Sequence, residues 1–243
     1  MPEKEVRCIQ TRRGTVHLPT FFPVTTFGDT YPLDRLIQPY LPRLASAILV
    51  SHYYAAHLDQ APNERPDLPL FIDSGGFALL LEGSEMVSVG GGSWGIRVGS
   101  DDVISPVGVL ERHMAHAEIG ATLDFPIPPA LEDPAERTRR FSATLHNAEW
   151  ALGNCRRRDL ALFASLQCWD ADSAAEAARA IAAMRFHGRE FDGIAIGGMV
   201  PRLKNPTYVQ SVIEAVRAQW SGPNASSVRR RLFVSPLACP APD

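Results

Sequence analysis

The 243-residue sequence has four cysteines, Cys8, Cys155, Cys168 and Cys239, and no two of them have CxxC spacing. That excludes a zinc knuckle or a dithiol redox motif built on paired cysteines. No apolar run approaches the roughly 18 residues of a membrane helix. The opening MPEKEVRCIQTRR is charged and lacks the apolar core of a signal peptide. Basic charge is not in excess, since the formal net charge is −3, so there is no global signature of nucleic-acid binding. No GxGxxG follows the first strand candidate, which counts against a dinucleotide-binding sheet. Repeats, low-complexity tracts and linkers are also missing. A single domain over residues 1–243, in a reducing cytoplasmic setting, is the expectation.

What is present points to alternating strands and helices. Hydrophobic residues make up 45%, enough for a sizeable core. Strand-like runs are FFPVTT (21–26), ASAILVS (45–51), LPLFID (68–73), ATLDFP (121–126), LALFASLQC (160–168), FDGIAIGGM (191–199) and RRLFVSP (230–236). PLDRLIQPYL (32–41) reads as a helix broken by Pro39, and residues 82–104 as a β-hairpin or long loop. Ser105-Pro106 and Asp133-Pro134 each read as an N-cap followed by proline at the first helical position. The first of these helices is expected to stop at Gly120, the second to run through AERTRRFSATLHNAEWALGNCRRR. Small apolar residues from Ala174 to Met184 form one helical face, and TYVQSVIEAVRAQW (207–220) is a further helix. Continuous apolar strands separated by helices predict a parallel sheet covered by helices, an α/β fold. At this length the choice lies between a (β/α)8 barrel and a doubly wound sheet.

In such folds chemistry sits at the C-terminal ends of the strands. Here those ends carry Ser51-His52-Tyr53-Tyr54, Asp73-Ser74-Gly75-Gly76, Asp124, Gln167 and Gly197-Gly198. Taken singly, each is an ordinary turn or cap residue. Taken together they describe a pocket of two carboxylates, a carboxamide and glycine backbone that a flat ligand can approach. Aspartate accepts from a ring N–H and an exocyclic amine, glutamine donates to a carbonyl, and a glycine N–H adds a donor, which matches a purine edge. Phe77, Phe125 and Met199 are candidates to cover the ring faces. Basic clusters at Arg137/Arg139/Arg140, Arg156–Arg158 and Arg229–Arg231 are solvated surface unless they converge in space to track phosphates. His52, His57, His113 and His116 offer a metal reading, a barrel hydrolase, but His113 and His116 alone at i,i+3 fall short of a ligand set.

The segments LPTFFPV (18–24), DSGGF (73–77), LDFPIPP (123–129), SLQ (165–167) and DGIAIGG (192–198) occur in the order of the tRNA-guanine transglycosylase (queuine tRNA-ribosyltransferase) family. The sequence resembles that family over residues 6–236. The resemblance implies an irregular (β/α)8 TIM-type barrel that exchanges guanine for a 7-deazaguanine on intact nucleic acid through a covalent glycosyl-enzyme. It makes Asp73 the general acid/base. Asp124 and Gln167 would read the purine edge, Gly197 and Gly198 would add backbone contacts, and Ser74 and Gly75 would line the same pocket. The partners implied are tRNA or DNA, a guanine-type base, and a second copy or partner chain.

The pattern departs from the family in three ways. The family's nucleophilic Asp ends the last barrel strand, whereas here the tail PLACPAPD runs to Asp243 with no eighth strand candidate. The family's CxCxxC zinc cluster has no counterpart, so no cofactor or metal is expected. SGGFQ becomes SGGFA at Ala78, and DECxP becomes DFPIP from Asp124. The expectation is therefore a divergent barrel lacking its last β-α unit. It is either a base-exchange enzyme or a non-catalytic purine- or nucleic-acid-binding relative, including a decayed fragment.

Overall fold

The computed structural model describes residues 7–26, 32–56, 58, 66–100, 102–220 and 231–234. The chain opens with an antiparallel hairpin, β1 (Arg7–Thr11) and β2 (Gly14–Leu18), whose turn is closed by Thr11 Oγ1 donating to Gly14 O at 2.6 Å. α1 (Pro32–Ile37), a 3-10 turn at Gln38–Tyr40 and α2 (Leu41–Leu44) follow, with the break at Pro39 as the sequence suggests. Next come β3 (Ile48–Ser51) and β4 (Leu70–Asp73). The segment expected as a hairpin or loop is a three-stranded antiparallel sheet: β5 (Glu85–Gly90), β6 (Ser93–Val98) and β7 (Asp102–Ile104). α3 (Pro106–His116), β8 (Ile119–Ala121), α4 (Pro134–Asn154), β9 (Ala161–Leu166), α5 (Ala171–Ala183), β10 (Gly193–Ile196), α6 (Pro206–Trp220) and β11 (Arg231–Val234) complete the order.

The cap signals hold. Ser105 Oγ accepts from Gly108 N at 3.1 Å, and Asp133 Oδ1 accepts from Ala135 N at 2.9 Å. Several elements differ from expectation: α4 stops at Asn154, before Arg156–Arg158, and the strand expected over 121–126 is β8 at Ile119–Ala121. α3 ends at His116, because Gly120 lies inside β8. There it makes room for a neighbour: a Cβ on Gly120 would stand 2.6 Å from His113 Nδ1. Residues 21–26 make no ladder. Val24 forms a single parallel bridge to Leu49, flanked by Thr25 N donating to Leu49 O and Leu49 N to Pro23 O. Pro23 has no N–H with which to extend the pairing.

Six strands form one parallel sheet in chain order, β3-β4-β8-β9-β10-β11. The fold is α/β, and the sheet curls into a half-barrel. Phe71 on β4 and Phe233 on β11 are four strand steps apart, yet their ring centroids are 4.6 Å apart. A flat sheet at about 4.8 Å per step would separate them by about 19 Å. Phe22 touches both rings, at 5.5 and 5.7 Å.

Period-two alternation sorts every strand. Leu49, Phe71, Ile119, Ala121, Phe163 and Ala195 face the concave side and pack with Ile9 and Val16 of the hairpin. Ile48, Val50, Leu70 and Ile72 belong to one outward-facing cluster, and Leu162, Ala164, Leu166, Ile194 and Ile196 to another under α4, α5 and α6. Both faces are buried, which is why the strands read as continuous apolar runs. Each such Leu, Ile or Phe contributes about 1.5–3 kcal/mol by leaving water.

The two basic clusters that are fully described do not converge. Arg137, Arg139 and Arg140 lie near the start of α4 and Arg156–Arg158 just past its end, about 30 Å apart for a helix of 21 residues. Arg139 and Arg140 pair with Glu136, and Arg157 caps the His113 and Met114 carbonyls. Arg231 donates to Cys8 O at 2.7 Å. Arg229, Arg230, His57, Cys239, Asp243 and the ends of the last strand candidate lie outside the described residues. Among the described residues no helix is long and apolar enough to cross a membrane.

Candidate functional site

The alternation that fills the concave side also builds the site. One inward step beyond Phe71 is Asp73; beyond Phe163 come Ser165 and Gln167; beyond Ala195 comes Gly197. An apolar layer therefore carries a polar layer at the C-terminal ends of the strands. Asp124 reaches the same layer by another route. Thr122 N donates to Phe163 O, and then Ser165 N donates to Thr122 Oγ1 at 2.9 Å instead of to a ladder carbonyl. The strand pairing stops there, and the chain carries Asp124 into the cleft.

Asp73, Ser74, Asp124, Gln167, Gly197 and Gly198 line one cleft, with Phe77, Pro126 and Pro201 among its apolar walls. Its empty space is about 600 Å³, counting the open mouth. Ser74 Oγ donates to Asp124 Oδ1 and accepts from Gly76 N at 3.0 Å. Gln167 Nε2 donates to Asp124 Oδ2, and its Oε1 accepts from Ile127 N at 3.3 Å. Those two bonds fix which way the amide points. Asp124 is thus held as an acceptor between two donors. A carboxylate has about four acceptor sites, so Asp124 retains acceptor capacity for a ligand, and Gln167 has a second amide N–H.

The two carboxylates differ in their surroundings. Asp73 is 8% exposed, and burial followed by the charge of Asp124 pushes its pKa up to about 7; the Ser74 backbone N–H offsets only part of this. Burial also raises Asp124, opposed by the donors Ser74 and Gln167. Two carboxylates sharing a dry site do not both ionise cheaply. Asp73 is the one poised to hold or release a proton near neutrality.

The glycines divide into different tasks. Gly75 does not line the cleft as expected; at φ +76° it makes the turn, and a Cβ there would stand 3.1 Å from Tyr53 N. Gly76 lies so close to Asp124 that a Cβ would overlap its backbone oxygen and carboxylate. Gly197 provides space and not a donor, because its N–H is committed to Leu166 O at 2.9 Å. A Cβ on it would overlap Gln167 Nε2. The N–H of Gly198, at φ +68°, has no partner among the described residues.

Two of the three expected ring covers are elsewhere. Phe77 lines the cleft, but Phe125 and Met199 are buried in the apolar clusters behind it. Arg202 escaped the sequence reading altogether. It is 8% exposed and donates to Gly198 O at 2.8 Å and Ile127 O at 3.1 Å, tying together two loops of the cleft, and it lies 5.1 Å from the centre of the Tyr208 ring. A single arginine after Pro201 carries no spacing signal that could have marked it. Neither Ser51 nor His52 lines the cleft; His52 backs the Gly75 turn. His113 is buried against Gly120, and burial, His52 and Arg112 lower its pKa to about 3. Among the described residues no group of three or more His, Cys, Asp or Glu could hold a metal ion.

No model of a known protein family matches this chain, and no curated protein matches its sequence. The chemistry of the cleft rests on its geometry.

Proposed function

We propose that this protein binds a guanine-type base in the cleft and exchanges it on a nucleic acid, in the manner of the tRNA-guanine transglycosylases. Its sheet would then be the core of an irregular (β/α)8 barrel. Six parallel strands in chain order, with residues 21–26 beside β3, support that architecture. The observation that carries the functional reading is the pair of unlike carboxylates, Asp124 held as an acceptor by Ser74 and Gln167, and Asp73 raised to about 7.

The N1–H and 2-amino group of guanine donate to the two oxygens of Asp124. The second amide N–H of Gln167 and the Gly198 N–H meet O6. Adenine presents the opposite pattern and leaves buried groups unpaired, at about 1–3 kcal/mol each. In the first displacement a carboxylate bonds the anomeric carbon as the glycosidic bond breaks. The bond's electron pair goes to the departing base, and Asp73 supplies that base with a proton. In the second, the incoming base bonds the anomeric carbon and the carboxylate leaves. The incoming base returns a proton to Asp73, so the residue acts as acid and then as base. Each lining carboxylate then has a role, and the nucleophile of the displacement is assigned to no described residue. A second reading is a purine-binding subunit that does not itself exchange bases.

Exchange of labelled guanine into bulk tRNA and into DNA tests the proposal, with Asp73→Ala as the control. Incorporation that the substitution abolishes supports exchange and identifies the acceptor. Guanine binding without incorporation supports the second reading. A folded protein that does neither overturns both.

A further inference from the structure

From Thr122 to Ile127 the chain is buried at every residue, yet β8 ends at Ala121, and after the bonds of Thr122 to β9 no strand pairs with the segment. Buried backbone polar groups need partners. Side chains of α4 supply three of them. Leu123 O accepts from Asn147 Nδ2 at 3.5 Å, Phe125 N donates to Thr144 Oγ1 at 3.1 Å, and Pro126 O accepts from Arg140 Nη1 at 2.7 Å. Arg140, Thr144 and Asn147 stand at i, i+4 and i+7, on one face of the helix. That face does for the segment what a neighbouring strand would do.

Asp124 is the residue between the two inner bonds. Thr144 is 1% exposed and Asn147 is fully buried. Polar side chains at such positions are costly unless they are bonded. Asn147 is bonded twice over: it also accepts from Trp94 N at 3.2 Å and donates to Trp94 O at 2.9 Å. One amide therefore fastens β6 of the inserted sheet to the backbone beside Asp124. Within the cleft, Ser74 and Gln167 orient the carboxylate; behind it, Thr144 and Asn147 hold the chain that carries it.

We propose that Thr144 and Asn147 are positioning residues that fix the backbone on either side of Asp124, so that its carboxylate meets Ser74 and Gln167 and the cleft selects a guanine edge. The selectivity rests on the proposed function; the positioning does not.

The test is Thr144→Val in the full chain, which keeps the shape of the side chain and removes its acceptor. Two quantities are read: the side-chain amide resonance of Gln167, which reports its bond to Asp124, and guanine affinity by calorimetry. The substitution is expected to move the resonance and to weaken guanine binding about tenfold, the effect of one lost hydrogen bond. Thr144→Ser, which keeps the hydroxyl, is expected to leave both at wild-type values. So is Thr138→Val, at an exposed threonine of the same helix that bonds only Pro134 O. A folded Thr144→Val protein with the Gln167 resonance unmoved overturns the proposal, whatever its melting temperature. Should Thr144→Val not fold, Thr144→Ser decides: a folded serine variant with a displaced Gln167 resonance overturns it. If the wild type binds no guanine, the functional reading fails, and the resonance still decides the positioning.

Discussion

Replacing Asp73 with asparagine should stabilise the protein at alkaline pH while removing its proton chemistry. Burial and the charge of Asp124 raise the Asp73 pKa from 3.8 to about 7. The unfolded chain loses this proton near 3.8 and the folded chain only near 7. Between those values the folded state holds the extra proton, so stability falls as pH rises through the window, and the loss is complete above it. At 1.36 kcal/mol per pKa unit, a rise of roughly three units corresponds to about 4 kcal/mol. Asparagine carries no charge at any pH and escapes this loss. The assay is urea unfolding of wild type and Asp73→Asn at about pH 4 and about pH 8. Comparing the gap between the two proteins at each pH cancels the contribution of Asp192, whose pKa is also raised; the repulsion between Asp73 and Asp124 stays in the difference, because the substitution removes it. The variant is expected to gain up to about 4 kcal/mol on wild type between the two conditions. An unchanged gap would refute the reasoning, because it would mean that Asp73 ionises like an ordinary surface carboxylate and is not tuned for proton transfer near neutrality.

Two glycine substitutions should fail in different ways. A Cβ on Gly76 meets the backbone oxygen of Asp124, which is pinned from behind and cannot retreat, so Gly76→Ala should cost about 1–3 kcal/mol in a thermal or urea melt and abolish guanine binding. A Cβ on Gly197 meets Gln167 Nε2, so Gly197→Ala should displace Gln167 from Asp124, cost about 1–3 kcal/mol in the same melt and lower guanine affinity at least about tenfold without abolishing it.

The sequence made the site legible wherever its signal was periodic. Asp73, Gln167 and Gly197 each fall an even number of residues from an inward apolar side chain, Phe71, Phe163 and Ala195, so strand parity alone sends them to one cleft. The capped helix starts at Ser105 and Asp133 were legible for an equally local reason. What stayed hidden depends on contacts between distant segments. Ile9 and Val16 form a hairpin strand pair that plugs the half-barrel, but a short charged segment does not announce a core. Gly120 looks like a helix stop and is instead the hollow for His113. Asp124 reaches the cleft through side chains of α4 that lie about 20 residues further along, and no local pattern encodes that bond set. Phe125 and Met199 follow site residues in sequence, but their side chains turn into the apolar clusters behind the cleft.

The most direct measurement is calorimetric titration of the full chain with guanine and with adenine at neutral pH. Guanine is expected to bind in preference to adenine by at least about tenfold, with the preference lost in Gly197→Ala. Equal affinity for the two bases, or no binding of either by the folded protein, would contradict it.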